Sequence, residues 1–304
     1  MIISNLRTRT KVIATVFAGL IILYTIASFV GTTCSFRIPR LPLQESLSEI
    51  GLQYEEVNFQ SRADRINLAG WFLKSRGEQV IIVVNGGFQN RVDDNVDTVG
   101  LARDLVSRGY DLLLFDQRGR GNSEGKGRAL SYFDNDIGGA VDYLLDKSYE
   151  PSHIAILGFC SGAFSTLLYA THGEIGAIIV DGCFATIEGM VVRQAAERKI
   201  PGFLVESFIP GLKVAAGVMY GFRTVEPIHE VNKIHCPVFF IHEEKDDLVT
   251  WKETKQLYAA AQNPVKEIWQ VPGALHSQAY RDYPDIFVDR IDNFLTKLQV
   301  NVTP

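Results

Sequence analysis

This 304-residue chain predicts an α/β fold with a mostly parallel central sheet flanked by helices, a helical cap insertion and an N-terminal transmembrane helix. Three observations predict it. Short apolar, β-branched runs alternate with helical patterns of about 10–15 residues, the signature of βαβ units. One stretch, 184–230, breaks that rhythm with long apolar segments between two strand runs. The first apolar run is long enough to cross a bilayer.

From Val12 to Phe36 there is no charged residue, and Val12–Val30 is almost wholly apolar. About 20 such residues span the hydrocarbon core as a helix, each adding ~1.5 Å. Arg7, Arg9 and Lys11 precede the run and favour a cytoplasmic N-terminus; Arg37 and Arg40 follow it and pull the other way. A single-pass anchor is the first reading and a cleaved signal peptide its rival, because a basic start before an apolar run fits both. The expected organisation is a tail and anchor over 1–36, a linker over 37–50 with Pro39 and Pro42, a domain over 51–298 and a tail over 299–304.

Within the domain, Glu55–Gln60 and Arg65–Leu73 read as an opening antiparallel pair. Val80–Val84 and Asp111–Phe115 read as strands covered on both faces, with a helix over Asn95–Arg108 between them that closes at Gly109. Asp136–Asp146 is amphipathic and helical. His153–Leu157 leads through Gly158 into a helix ending near Ala170. Ala177–Val180, Val238–Ile241 and Glu267–Val271 complete the strands, with helices at about 251–261 and 284–298. The cap, 184–230, carries Ile200, Phe203, Leu204, Phe208, Ile209 and Leu212, broken by Pro201 and Pro210. It is expected over the carboxyl ends of the strands, where open α/β sheets bind ligands.

Composition narrows the function. At 46 % hydrophobic and 21 % charged the chain can build a large core, and a net charge of -5 with interspersed signs argues against a nucleic-acid partner. Cys34, Cys160, Cys183 and Cys236 are too dispersed for a zinc site or a disulfide framework. There is no H-E-x-x-H or G-x-G-x-x-G motif, and Arg120 and Gly127 spoil a P-loop reading ahead of Gly125-Lys126. No cofactor or metal is expected. The Asp93-Asp94 and Glu243-Glu244 pairs read as solvated loop charges.

The segment that carries chemistry is Gly158-Phe159-Cys160-Ser161-Gly162, set between a buried strand and a helix. A nucleophile elbow, G-x-S-x-G, needs small neighbours because its strand-to-helix turn is tight. Here the central position is Cys160. A nucleophile needs a base and the base an orienting acid, in the chain order nucleophile, acid, histidine. Asp246 and Asp247 lie just past the Val238–Ile241 strand, and His276 just past Glu267–Val271. The other five histidines (His153, His172, His229, His235, His242) lack such a position and read as surface or core residues.

On these motifs the chain resembles the α/β-hydrolase superfamily over roughly residues 50 to 298, nearest to its capped serine-aminopeptidase-like and acylglycerol-lipase-like branch. Leu68–Leu73 matches that family's second strand. Asn85-Gly86-Gly87-Phe88-Gln89-Asn90 stands at its H-G-x-x-x-N loop, and Asp116–Gly125 follows its D-x-R-G-x-G-x-S-x-G block. The resemblance implies Asp246 as the acid, with Asp247 as fallback, and the amides of Gly87 and Ser161 as an oxyanion hole. Three positions depart from the pattern: Asn85 for histidine, Glu243 for glycine and Cys160 for serine. The last resembles the G-x-C-x-G elbow of dienelactone hydrolases.

A helix N-terminus and a protonated histidine both favour a thiolate. The expected reaction is therefore hydrolysis of an ester, thioester or lactone through a covalent acyl-enzyme on Cys160. The apolar cap suits a small hydrophobic or acyl substrate, and the bilayer is the expected partner of the N-terminal helix. The alternative is a catalytically silent fold in which Cys160 merely packs and the protein serves as a membrane-anchored binding module.

Overall fold

The computed structural model describes residues 2–44, 47, 51–62, 64–128 and 133–300. Part of the expected linker (45, 46 and 48–50) and most of the expected C-terminal tail (301–304) lie outside them. The chain forms two compact units, one of residues 1–37 and 191–224, the other of 38–190 and 225–304.

In the larger unit the strands are β1 (Glu55–Gln60), β2 (Asn67–Leu73), β3 (Val80–Val84), β4 (Asp111–Phe115), β5 (Ile154–Phe159), β6 (Ala177–Asp181), β7 (Val238–Glu243) and β8 (Lys266–Val271). They form one sheet in the order β1-β2-β4-β3-β5-β6-β7-β8. β1 pairs antiparallel with β2, and β2 antiparallel with β4; every other pairing is parallel. The parallel strands β3, β5 and β6 are buried at every residue because helices cover both faces.

Alternation along each strand sorts side chains into two cores. Ile81, Val83, Leu157 and Ile179 pack with α2 (Thr98–Ser107) and α10 (Pro284–Val300), through Leu105, Phe287, Ile291 and Phe294. Val80, Ile82, Ile156 and Val180 face α3 (Phe133–Asp146), α4 (Ser161–Ala170) and α8 (Trp251–Ala260), through Val141, Leu144, Leu167 and Leu257. Several boundaries differ from the sequence reading by a few residues. The helix expected from Asn95 starts at Thr98, because Asp97 sits at φ 59 and its side chain caps Gly100. α3 starts three residues before Asp136. β7 runs two residues past Ile241, because His242 and Glu243 still pair with Gln270 and Val271 of β8.

The Asp116–Gly125 block is held by buried charge. Asp116 accepts from the Arg91 amide and guanidinium, each at 2.7 Å, and from the Asn122 amide at 2.8 Å. Both side chains are shut away from water, and Arg91 stacks on Trp71 at 4.8 Å. Arg118 forks onto Asp136 and Asp64, and Arg120 donates to the Gly87 carbonyl at 2.7 Å. The block therefore braces the β3–α2 loop against the sheet.

The smaller unit pairs the long α1 (Ile2–Phe36) with α6 (Gly202–Tyr220). α5 (Ile187–Glu197) leads into this unit, and α7 (Pro227–Glu230) and α9 (Ala279–Asp282) are single turns of the larger one. Pro210 lies inside α6 and removes one donor from its ladder. Beside it the Tyr24 hydroxyl enters the ladder: Gly211 N–H donates to it at 3.1 Å and it donates to the Ser207 carbonyl at 2.9 Å. Small residues bring the helices close, with Ser28 and Thr32 of α1 buried and Gly211 of α6 set against Ser28.

Asp116→Ala leaves the Arg91 guanidinium buried without its carboxylate. Removing one partner of a buried pair costs about 3–5 kcal/mol. A urea titration of the variant is expected to show a loss of that size, whereas a change below about 1 kcal/mol, the range of exposed pairs, would contradict the bracing role.

Candidate active site

β5 delivers Cys160 to the carboxyl edge of the sheet, and α4 begins at the next residue. Cys160 adopts φ 52, ψ −117, a left-handed conformation unusual for a residue with a side chain. Its amide donates to the Asp181 carbonyl at 2.9 Å and its carbonyl accepts from the Phe164 amide at 3.2 Å, so both sides of the turn are tied down. Gly162 must be glycine: a Cβ there would lie 2.0 Å from the Val84 carbonyl oxygen. The sulfur thus stands at the N-terminus of α4, where the helix dipole favours negative charge.

The acid comes from the turn after β7. Asp246 Oδ1 accepts from the amides of Leu248 and Val249, each at 2.7 Å, and Oδ2 lies 2.6 Å from His276 Nδ1. Its side chain is fully buried, whereas the fallback residue Asp247 is exposed. The structure thus brings Asp246 to the histidine. His276 follows β8 and is fixed through its carbonyl, which accepts from Asn95 Nδ2 at 3.0 Å. Gly182, at φ +63, makes room for the ring, since a Cβ there would stand 2.8 Å from His276 Cε1.

With Nδ1 bound to Asp246, Nε2 is the nitrogen left to face the thiol, and no full hydrogen bond reaches it. Burial alone would lower the imidazole pKa. The charge at Cys160, the Asp246 hydrogen bond and the contact with the thiol outweigh it, holding the ring well above the ordinary histidine range. The Gly87 amide donates to Ser161 Oγ at 2.8 Å, so that amide is engaged by the residue after Cys160. Asn85 Nδ2 binds the Asn90 carbonyl and Thr98 hydroxyl, which shapes the loop carrying Gly87.

The structure corrects one expectation and adds two residues. Glu243 is fully buried, not a solvated loop charge, because pairing with β8 draws it into the sheet edge. Asp93 is buried as well, accepting from the Asn95 amide at 2.9 Å. Asp181 pairs across with Ile241, so Asp181 and Glu243 project from the same face one step apart. Both are fully buried, and none of their four carboxyl oxygens accepts a hydrogen bond of full geometry among the described residues. Burial pushes both carboxyls up, and the charge of Glu243 raises Asp181 further. The sequence signal was an acid directly closing an apolar strand run, as in Ala177-Ile178-Ile179-Val180-Asp181. Glu243, Asp246 and His276 offer donor atoms within 4.8 Å of one another, the one such cluster among the described residues. Since His276 Nδ1 is already engaged by Asp246, the set reads as an acid–base chain.

The sheet order, with Cys160 after β5, Asp246 after β7 and His276 after β8, matches the α/β-hydrolase fold. Solved structures agree. The Pyrococcus furiosus esterase Pf2001 superposes with a TM-score of 0.72 at 22 % identity, covering 86 % of this chain and 98 % of that one. The α/β hydrolase GrgF from Penicillium gives 0.62 at 18 %, covering 81 % and 99 %. In sequence, the chain is similar to the uncharacterized YqkD of Bacillus subtilis, 27 % identical over 241 residues with 76 % of each covered. It is also similar to the uncharacterized YfhR of Salmonella typhi, 25 % identical over 298 residues, 88 % of this chain and 92 % of that one. The lysophosphatidylserine lipase ABHD12 of Danio rerio is 29 % identical over 210 residues, 64 % of this chain and 50 % of that one. No family model matches.

The raised carboxyls have a consequence for stability. Both acids titrate above the ordinary carboxyl range when folded, so above that range the unfolded chain binds fewer protons and stability falls as pH rises. Glu243→Gln replaces one buried acid with a neutral amide. Thermal melts between pH 5 and 9 are expected to show a shallower decline and a gain on the order of 1–3 kcal/mol at the alkaline end, the scale of relieving an unsatisfied buried group. An unchanged slope would contradict the raised titration of Glu243.

Proposed function

We propose that this protein hydrolyses carboxylic ester, thioester or lactone bonds through a covalent acyl-enzyme on Cys160, with His276 as base and Asp246 as its orienting acid. One observation carries the reading: the 2.6 Å contact of Asp246 with His276 Nδ1 leaves the opposite ring nitrogen to the sulfur at the elbow. The Pyrococcus furiosus esterase and the Danio rerio lysophosphatidylserine lipase, both similar to this chain, support ester chemistry in general.

In this scheme the Cys160 sulfur adds to the acyl carbon while the amides of Gly87 and Ser161 receive the carbonyl oxygen. Ser161 Oγ must first turn away from the Gly87 amide. The imidazolium of His276 gives its proton to the leaving oxygen or sulfur, and the acyl group remains on Cys160 as a thioester. His276 then takes a proton from water, whose oxygen attacks the thioester, and the acid product leaves as the thiol is restored. Asp246 stays ionised and holds the ring in register. Lactones, thioesters and aryl esters suit a sulfur nucleophile better than amides, because their leaving groups need less help. The apolar N-terminal helix is proposed to anchor the enzyme to a bilayer.

Cys160→Ala is expected to abolish turnover of an aryl ester, and Asp246→Asn to lower kcat by ~10²–10⁴. Ser161→Ala is expected to retain activity, because it keeps the backbone amide and frees that of Gly87. Burst kinetics with the full-length protein check all three; full activity of Cys160→Ala, or silence of every form on esters, thioesters and lactones alike, would overturn the reading. Because the His276 pKa is raised, the proton it donates is retained below the folded value and lost as pH rises through it. The alkaline limb of kcat is therefore expected above the ordinary histidine range, and Asp246→Asn is expected to move it toward lower pH.

A further inference from the structure

We propose that the turn joining α5 to α6, residues 198–204, dips into the same bilayer that α1 crosses and contacts phospholipid directly. This rests on the reading of α1 as a membrane span. The register between two helices of one compact unit carries it.

Both helices run in the same direction. Tyr24 stacks on Phe208 with ring centroids 5.1 Å apart, Thr32 donates to the Leu212 carbonyl, and Phe36 stacks on Tyr220 at 5.5 Å. Moving along α1 from Tyr24 to Phe36 thus means moving along α6 from Phe208 to Tyr220. The start of α6 must then lie back along α1, toward its N-terminus. Phe203 precedes Ser207 by four residues, so at ~1.5 Å per residue it stands about 6 Å before the level of Tyr24. That is the level of Leu20, inside the stretch 9–26 where every residue of α1 is exposed.

A lipid-facing surface is what such a stretch requires, since an 18-residue window within 9–36 reaches a mean hydropathy of 2.3 and the side chains of 9–26 are exposed. The α6 start has the same character. Phe203 is 66 % exposed, and Ile200 and Leu204 are exposed beside it. With α1 crossing over Val12–Val30, the level of Leu20 lies inside the acyl region, so Phe203 and its exposed apolar neighbours meet lipid chains there. A soluble protein partner would have to share that depth with the acyl chains around α1.

Tryptophan placed at two positions separates this proposal from the anchor reading beneath it. Phe17→Trp reports on α1 and Phe203→Trp on the turn; both side chains are largely exposed, so both changes are expected to leave the melting temperature unchanged. Each full-length variant is reconstituted in phosphatidylcholine–phosphatidylglycerol vesicles with and without acyl-chain bromination, and the emission of the unsubstituted protein is subtracted. Loss of at least about half the added emission from both positions supports the proposal. Quenching at 17 with water-like, unquenched emission at 203 overturns it and leaves the anchor standing. Absence of quenching at both positions overturns the anchor and the proposal together.

Discussion

The site depends on one bend in the chain. At Cys160 the backbone leaves a fully buried strand and enters a helix within a single residue, at φ 52 and ψ −117. That conformation costs of order 1–3 kcal/mol and persists only where its surroundings impose it. They do so from both sides. The amide is held by β6 through Asp181, the carbonyl by α4 through Phe164, and Gly162 lets the carbonyl of Val84 come within van der Waals reach. The sheet is the spring that holds the bend. Its parallel strands, buried on both faces, cannot shift without opening two cores at once.

A second constraint is electrostatic. The carboxyl edge of the sheet gathers Asp181, Glu243 and Asp246 around one imidazole. Asp246 is satisfied by two amides and by the ring, so it can remain charged in a buried setting. The other two have no such donors, and burial raises both. The different environments of these acids assign them different work, with only Asp246 positioned to orient the ring. On the opposite flank the Arg91–Asp116 pair and Arg120 hold the loop that bears Gly87, so the position of that amide rests on charged side chains tens of residues away in sequence.

Much of this was legible in the residues themselves. β3 and β4 begin and end where the expected strands do, because strands buried on both faces leave few polar positions to blur their limits. Cys160, Asp246 and His276 could be singled out by their places after β5, β7 and β8. What could not be read was pairing. β7 runs on to Glu243 only because β8 lies beside it, and an acid pair that looks solvated by composition is buried by that neighbour. The Ser161 hydroxyl on the Gly87 amide likewise requires two loops to meet across 74 positions. The partnership of α1 with α6 had no local signal either, since an anchor and a cap helix are each explained separately by their own apolarity.

That partnership changes what the N-terminal helix is. In α6 the rung from Gly211 to Ser207 is closed by a hydroxyl that belongs to α1. Cutting the chain before Ile38 to obtain a freely dissolving fragment would remove that hydroxyl, leave a gap beside Pro210 and bare the surface that Ser28 and Thr32 now cover. The leading helix is therefore a structural strut, and a protein shortened there would carry a different α6.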